Sequence, residues 1–332
     1  MNKHFSLAFI QSIGLSLLLS FYSLNSFATT QAEFIADMVN QHGFDYASLN
    51  RLLAQAEVKQ SIIKAITPPK SGKARPWYEY RKIFINDKRI NGGVAFWQEN
   101  AAALQRAEQV YGVPAEFIVA IIGVETFYGQ NMGSYRVLDA LVTLAFNYPR
   151  RADYFRGELE NFLLLTRDER INPLSLKGSY AGAMGLGQFM PSSFRNYAVD
   201  FDNDGHRNIW TNPTDAIGSV ANYFKQHGWQ TRQPVMIATQ VRPDAEKTLL
   251  SLDFKMNRSL GWFKQNGLLF YGDLPDQTLG LLIDLETEQG KAYWFGLNNF
   301  FVITRYNRSN RYAMAVYQLA TDIATLYYGQ AH

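Results

Sequence analysis

The sequence contains no cysteine. No disulfide can form, so the fold must rest on its core alone. The same absence rules out a lipid on an N-terminal cysteine, and with it a bacterial lipoprotein. Strong charge is missing too. The formal net charge is +3 at pH 7, with no long basic run and no recognisable nucleic-acid module, which argues against a nucleic-acid partner. Beyond residue 28, no stretch is long and apolar enough to span a bilayer. Neither an internal repeat nor a low-complexity tail is present.

Apolar residues are plentiful. Of 332 residues, 47% are hydrophobic, ample for a large core in one domain with insertions or in two. Aromatic residues make up 14%, which suits a carbohydrate groove and equally an ordinary core. Residues 1–28 have the form of a cleavable secretory signal. Lys3 supplies the positive start, and Ser26-Phe27-Ala28 places small residues at the cleavage spacing. Gln11, Ser12 and Ser16 interrupt the apolar run, which disfavours a membrane anchor.

Val113–Gln130, VPAEFIVAIIGVETFYGQ, is the stretch around which the chain is organised. Pro114 suits the first turn of a helix, where its missing N–H costs nothing. Phe117 to Ile122, Val124 and Phe127 make this helix apolar on every side, so it should be buried. Gly129 is placed to end it. Within the run sits one carboxylate, Glu125. Burial and the negative end of the helix both disfavour its charged form. A carboxyl still protonated near neutral pH is a general acid. A buried, hydrogen-bonded structural Glu is the competing reading.

Helices are expected over Ala32–Val39, from an Asp45 cap through Leu53, over Trp77–Val110 with a turn near Gly92-Gly93, and over Leu138–Phe146 and Ala152–Leu165. Pro68-Pro69-Lys70-Ser71-Gly72-Lys73 is a break. Arg150 and Arg151 are adjacent; they form a solvated pair, meet Glu158 and Glu160, or contact substrate. Asn172–Met190 is glycine-dense, with Gly178, Gly182, Gly185 and Gly187, so backbone can approach a ligand or another segment closely. It matches neither a dinucleotide fingerprint nor a phosphate loop. Ser179, Tyr180 and Gln188 give it polar groups to line a site.

Asp200, Asp202, Asp204 and Gly205 form the D-x-D-x-D-G opening of a calcium loop. The carbonyl of His206 would be the next ligand. Position twelve, where a bidentate Glu is required, is Thr211, so Asp215 would have to close a longer loop. An acidic turn without metal is the alternative. Asn212 and Pro213 then open a helix that runs to Gly228. Val235–Val241 alternates like a strand, and Glu288-Gln289-Gly290 reads as a hairpin turn. A final helix follows a Ser309 cap.

The order G-V-E-T-x-Y-G, S-Y-A-G-A-M-G-x-G-Q-F-M-P-S-S, a calcium-like loop and A-I-G-S-V-A-N-Y-F resembles the murein lytic transglycosylase B family. The resemblance covers most of the chain and implies an α+β, mainly α fold. Its expected parts are a signal at 1–28 and a helical flanking domain at 29–111, completed by 296–332. A lysozyme-like core at 112–232 carries a structural calcium loop at 200–215, and a small β insertion occupies 233–295. It implies cleavage of the β-1,4 bond between N-acetylmuramic acid and N-acetylglucosamine in peptidoglycan, leaving a 1,6-anhydromuramyl end. Glu125 matches the single acid/base, and Ser179 and Gln188 match polar groups beside it. Phe189 and Tyr223 match groove aromatics, and Tyr80 is a further match. Arg150 and Arg151 match a pair near the glycan or its peptide. Tyr306, Asn307 and Tyr312 match residues returning from the C-terminus to the groove. The chain departs from membrane-bound members in lacking the lipid-bearing cysteine, and Asp215 stands one residue beyond the matching acid. The expected setting is a Gram-negative periplasm. The expected partners are glycan strands and cell-wall synthesis proteins, and the expected state is a monomer. A lysozyme-type hydrolase, with Asp139 or Asp153 as second acid, and a silent glycan-binding scaffold are the rivals.

Overall fold

The computed structural model describes residues 30–68 and 75–330. The leader at 1–28 and most of the break at 68–73 lie outside the described residues. The architecture is mainly helical with one small antiparallel sheet, and it follows the local signals closely. Thr30 and Glu33 form a reciprocal capping box at the start of Gln31–His42, and left-handed Gly43 ends that helix. Asp45 accepts the Ser48 N–H at 2.8 Å and caps Tyr46–Leu53. No single helix among the described residues is long and apolar enough to cross a membrane.

Ala115–Thr126 is the centre of the core. Ile118, Val119, Ala120, Ile121 and Ile122 are fully buried. The helix packs against Asp87–Glu99, Ala101–Tyr111, Pro213–Gln226 and the C-terminal helix Asn310–Gln330. Being enclosed by four neighbours explains why it has no polar face. The Gly92-Gly93 pair does not make the expected turn; it lies inside Asp87–Glu99. A Cβ on Gly93 would come within 2.4 Å of Ile323 and 2.7 Å of the Tyr128 hydroxyl. These glycines therefore allow close helix packing rather than a change of direction.

Beneath this core, the segment before Gln60–Ile66 docks onto helix Val137–Asn147. Asp139 is 2% exposed; it accepts the Glu57 N–H at 3.0 Å and Arg136 at 2.8 and 2.6 Å. Thr143 accepts the Lys59 N–H at 3.0 Å. The sheet runs in the order Arg258–Ser259, Leu279–Thr287, Gly290–Gly296, Met236–Val241, Leu268–Leu269, antiparallel throughout. Leu281, Ile283 and Leu285 point one way into the main core, while Leu282 and Phe295 join a second cluster with Leu260 and Phe263. Period-two alternation thus lets one strand serve both cores.

Removing the Asp139 carboxylate would leave the Glu57 N–H unpaired and Arg136 with only the Gln55 carbonyl among the described residues. Asp139→Ala is expected to cost about 3–5 kcal/mol in denaturant unfolding. Asp153 pairs only with Arg156 and its side chain is 95% exposed, so Asp153→Ala should stay within about 0.5 kcal/mol of wild type. Equal effects from both substitutions would refute this account of the docking.

Candidate active site

The helix carrying Glu125 stops one residue later, at Thr126. Phe127, Tyr128 and Gly129 follow with φ of 53°, 58° and 87°. The expected stop at Gly129 is thus made two residues earlier, by a phenylalanine in a conformation costing about 1–2 kcal/mol for an L-residue. Surrounding contacts hold it there. Buried Thr126 donates to the Leu186 carbonyl at 2.9 Å and accepts the Gly129 N–H at 3.0 Å. Tyr128 fills the space left by Gly92, Gly93 and Gly123 and donates to the Arg89 carbonyl at 2.8 Å. Arg89 donates to the Gly123 carbonyl at 2.5 Å, and its guanidinium lies 5.0 Å from the Phe127 ring. Thr126, Tyr128 and Arg89 had no sequence signal as a group, because residues from two distant helices meet only in the fold.

Glu125 is half-buried. Its carboxyl is pushed up to about 7, because burial penalises the anion; the hydrogen bond from Tyr312, at 2.5 Å, works in the opposite direction. No other carboxylate contributes to that shift. Three hydroxyls feel the Glu125 charge. Those of Tyr306 and Tyr312 are raised well above the usual phenol range, first by burial and then by Glu125. Tyr80 is raised mainly by burial, with Arg311 lowering it and Glu125 adding a smaller increase. Glu125, Tyr80, Tyr306 and Tyr312 thus form one electrostatic cluster.

The glycine-dense segment packs alongside as a loop stitched by backbone. Lys177–Gly178 pairs with Tyr135–Arg136, and Met184 bridges to both Gly178 and Phe189. Ser179 accepts the N–H groups of Ala181 at 3.3 Å and Ala183 at 3.0 Å. Gln188 donates to the carbonyls of Met132 at 3.2 Å and Gly185 at 3.0 Å. These two side chains shape the loop itself. A Cβ on Gly133 would sit 2.1 Å from the Gly178 carbonyl oxygen, so the close approach is between chain segments. The Tyr306 hydroxyl donates to the Gly187 carbonyl at 2.5 Å. Phe189, Tyr223 and Tyr306 form a ring cluster with centroids 4.7–6.0 Å apart.

Other expected residues lie further out. Arg150 and Arg151 are exposed on the short turn Pro149–Arg151. Arg151 covers the Tyr154 ring at 4.3 Å. Neither meets Glu158 or Glu160 in an ion pair: Glu158 accepts the N–H and hydroxyl of Ser192, and Glu160 meets His42 at 2.9 Å. Asn307 is exposed directly after Tyr306. Asp139 and Asp153 are engaged by Arg136 and Arg156, and neither contributes to the shift of Glu125.

Ligand oxygens of Asp200, Asp202 and Asp204 lie within 4.8 Å of one another. Asn203 and Gly205, with φ of 63° and 95°, fold the turn that gathers them. Hard carboxylate oxygens on such a loop fit calcium. The backbone N–H of His206 donates to Asp204 at 2.8 Å, which keeps His206 in the loop through its backbone rather than its ring. Asp215 departs from the expected role. It lies outside that cluster, fully buried, with its two oxygens accepting the N–H groups of Phe201 and Asn208 at 2.7 Å each. It ties the two ends of the loop together.

A half-buried carboxylic acid at a helix end, raised to about 7 and hydrogen-bonded to a tyrosine in a helical core, has the chemistry of a general acid. The Transglycosylase SLT domain family profile matches residues 26–321. The chain is 50% identical over 301 residues to membrane-bound lytic murein transglycosylase B of Escherichia coli K12, covering 88% of this chain and 82% of that protein. It is 54% identical to the soluble lytic transglycosylase SltB1 of Pseudomonas aeruginosa, with a TM-score of 0.85 over 89% of this chain and 98% of that one. The Escherichia coli lytic transglycosylase Slt35 in complex with calcium is 48% identical, with a TM-score of 0.81 over 91% and 95%. The chain belongs to the murein lytic transglycosylase B family.

A calcium ion bound only by the folded loop would stabilise the fold by about 2.7 kcal/mol at a free concentration one hundred times Kd. Adding EGTA should therefore lower the melting temperature by several degrees. Asp202→Asn should remove most of the calcium response. Identical melting with chelator and with calcium would exclude metal from this loop.

Proposed function

We propose that Glu125 is the single acid/base of a lytic transglycosylase reaction on peptidoglycan. The observation that carries this is a carboxyl raised to about 7 by burial, with no second carboxylate contributing to its environment. Protonated Glu125 donates to the glycosidic oxygen linking N-acetylmuramic acid to N-acetylglucosamine, and that bond breaks. The N-acetyl carbonyl of the muramyl sugar stabilises the electron-poor anomeric carbon, in place of a second protein carboxylate. The Glu125 carboxylate then removes the proton from the C6 hydroxyl, whose oxygen attacks the anomeric carbon. A 1,6-anhydro ring forms, Glu125 is protonated again, and no water is consumed.

Tyr312 steadies the carboxylate between the two proton transfers. Tyr80 and Tyr306 supply aromatics for sugar faces, backed by the buried rings of Phe189 and Tyr223. Ser179 and Gln188 hold the glycine-dense loop, and the exposed Asn307, Arg150 and Arg151 are free to meet outer parts of the polymer. Asp200, Asp202 and Asp204, with the His206 carbonyl, would hold calcium as a structural ion, in keeping with the calcium complex of a relative. The setting is the compartment that holds the peptidoglycan, in keeping with the murein named in the relative's activity.

The decisive test is digestion of purified peptidoglycan by wild type and Glu125→Gln, with the products weighed. Anhydromuramyl ends from wild type alone are expected; products heavier by one water would mean a hydrolase, and no products from folded wild type would mean a binding scaffold. Activity needs the protonated acid, so kcat/KM should fall as pH rises through about 7. The Tyr312 hydrogen bond pulls that pKa down. Tyr312→Phe should therefore move the alkaline limb to higher pH while lowering kcat on the order of tenfold. An alkaline limb that stayed in place or moved to lower pH would contradict the assignment.

A further inference from the structure

Glu125 is the last residue but one of its helix, so the place of its carboxyl depends on how that helix end is held. Gly123 stands two residues earlier. At about 100° per residue, the two point to nearly opposite faces of the helix. Tyr128 covers the Gly123 face: a Cβ on Gly123 would lie 2.6 Å from the Tyr128 hydroxyl. That hydroxyl donates to the Arg89 carbonyl at 2.8 Å, and the Arg89 guanidinium donates to the Gly123 carbonyl at 2.5 Å. Arg89 is thus engaged through its backbone and through its side chain. Together these bonds close a clamp between helix Asp87–Glu99 and the end of helix Ala115–Thr126.

The clamp falls on carbonyls that a helix end leaves short of partners. The Gly123 carbonyl also accepts the Phe127 N–H at 3.1 Å, and the Ile122 carbonyl accepts the Tyr128 N–H at 3.3 Å. Phe127 and Tyr128 are both left-handed and neither is glycine, so the turn needs support from outside. A cation at a helix C-terminus gives that support. Arg89 gives it at a cost. Burial works against its charge, no carboxylate offsets that, and its Nε is buried without a partner among the described residues. The rings of Phe84 and Phe127 flank its guanidinium at 5.3 and 5.0 Å, and Lys88 also approaches Phe127, at 5.3 Å. An apolar side chain would pack between those rings without the cost. What the guanidinium adds is the bond to Gly123.

Arg89 does not act on Glu125 by charge. Burial and the Tyr312 hydrogen bond account for the raised carboxyl, and no arginine or lysine contributes. Among the described residues, the titratable groups that sense Glu125 are the hydroxyls of Tyr80, Tyr306 and Tyr312. The link from Arg89 to Glu125 therefore runs through the helix backbone.

We infer that Arg89 is a positioning residue for the cleavage reaction: it clamps the end of the Glu125 helix through Gly123 and Tyr128, and so holds the Glu125 carboxyl in its apolar place. This rests on the reading of Glu125 as the acid/base.

The test follows kcat and KM on purified peptidoglycan against pH for wild type, Arg89→Met and Tyr128→Phe, with the melting temperature of each. Arg89→Met keeps the bulk and removes the donor. The loosened helix end admits water to Glu125, so the alkaline limb of kcat/KM should move down by about one pH unit. Displacement of the carboxyl should lower kcat on the order of tenfold, with KM within about twofold of wild type. Tyr128→Phe removes only the hydroxyl at the other end of the clamp and should move the limb the same way by about half as much. Loss of a cation acting by charge would raise the carboxyl instead. A limb that moves up or stays in place in either folded variant would overturn the clamp, even if melting falls. If Arg89→Met does not fold, Tyr128→Phe decides by the same criterion. No products from folded wild type would overturn the acid/base reading instead. In that event, carbon-13 NMR titration of the Glu125 carboxyl in wild type and Tyr128→Phe decides the clamp: a lower midpoint in the variant upholds it, and an equal or higher one rejects it.

Discussion

The structure depends on keeping one carboxyl in an apolar place without a charged partner. An isolated buried carboxylate is costly, and the group responds by holding its proton to about pH 7. Everything around Glu125 serves that condition. The helix that bears it is enclosed by four others, which removes water from its stem. Among the described residues, the only group that donates to it is the neutral Tyr312 hydroxyl, which supports the anion without fixing it as an ion pair. A nearby lysine or arginine would have pulled the pKa down and abolished the acid.

That environment requires the helix to end abruptly. Three successive left-handed residues turn the chain away directly after Thr126 and bring Leu186 and the glycine-dense loop against it. The cost of left-handed Phe127 and Tyr128 is offset by packing: the Tyr128 ring occupies a space that side chains at Gly92, Gly93 or Gly123 would fill. The loop is held largely by its own backbone, with Ser179 and Gln188 spent on internal hydrogen bonds. The acidic loop at Asp200 and its Asp215 tie stabilise the start of Pro213–Gln226, the helix whose Tyr223 reaches the same aromatic cluster.

Much of this was legible along the chain. Helix limits followed caps such as Asp45, Asn212 and Ser309, strand Met236–Val241 followed period-two alternation, and the hairpin turned at Glu288-Gln289-Gly290 as its residues indicated. Glu125 stood out because a carboxylate in an otherwise apolar run is rare. The misreadings share a cause. Gly92-Gly93 was expected to turn, but it packs against residues far away in sequence. Helix Asn298–Tyr306 has no side-chain cap and gave no signal. The expected partners of Arg150 and Arg151 were claimed by Ser192 and His42, which no local pattern could indicate.

By itself the sequence determined the mainly helical class, the buried acid, the acidic loop and the place of the β insertion, because propensity, capping and hydrophobic period act over a few residues. Tertiary structure decided the rest. It set which tyrosines face Glu125, paired buried Asp139 with Arg136 and exposed Asp153 with Arg156, and gave Asp215 to two backbone N–H groups. Those outcomes depend on which side chains meet across the core, and dielectric environment and hydrogen-bond partnership are properties of that meeting alone.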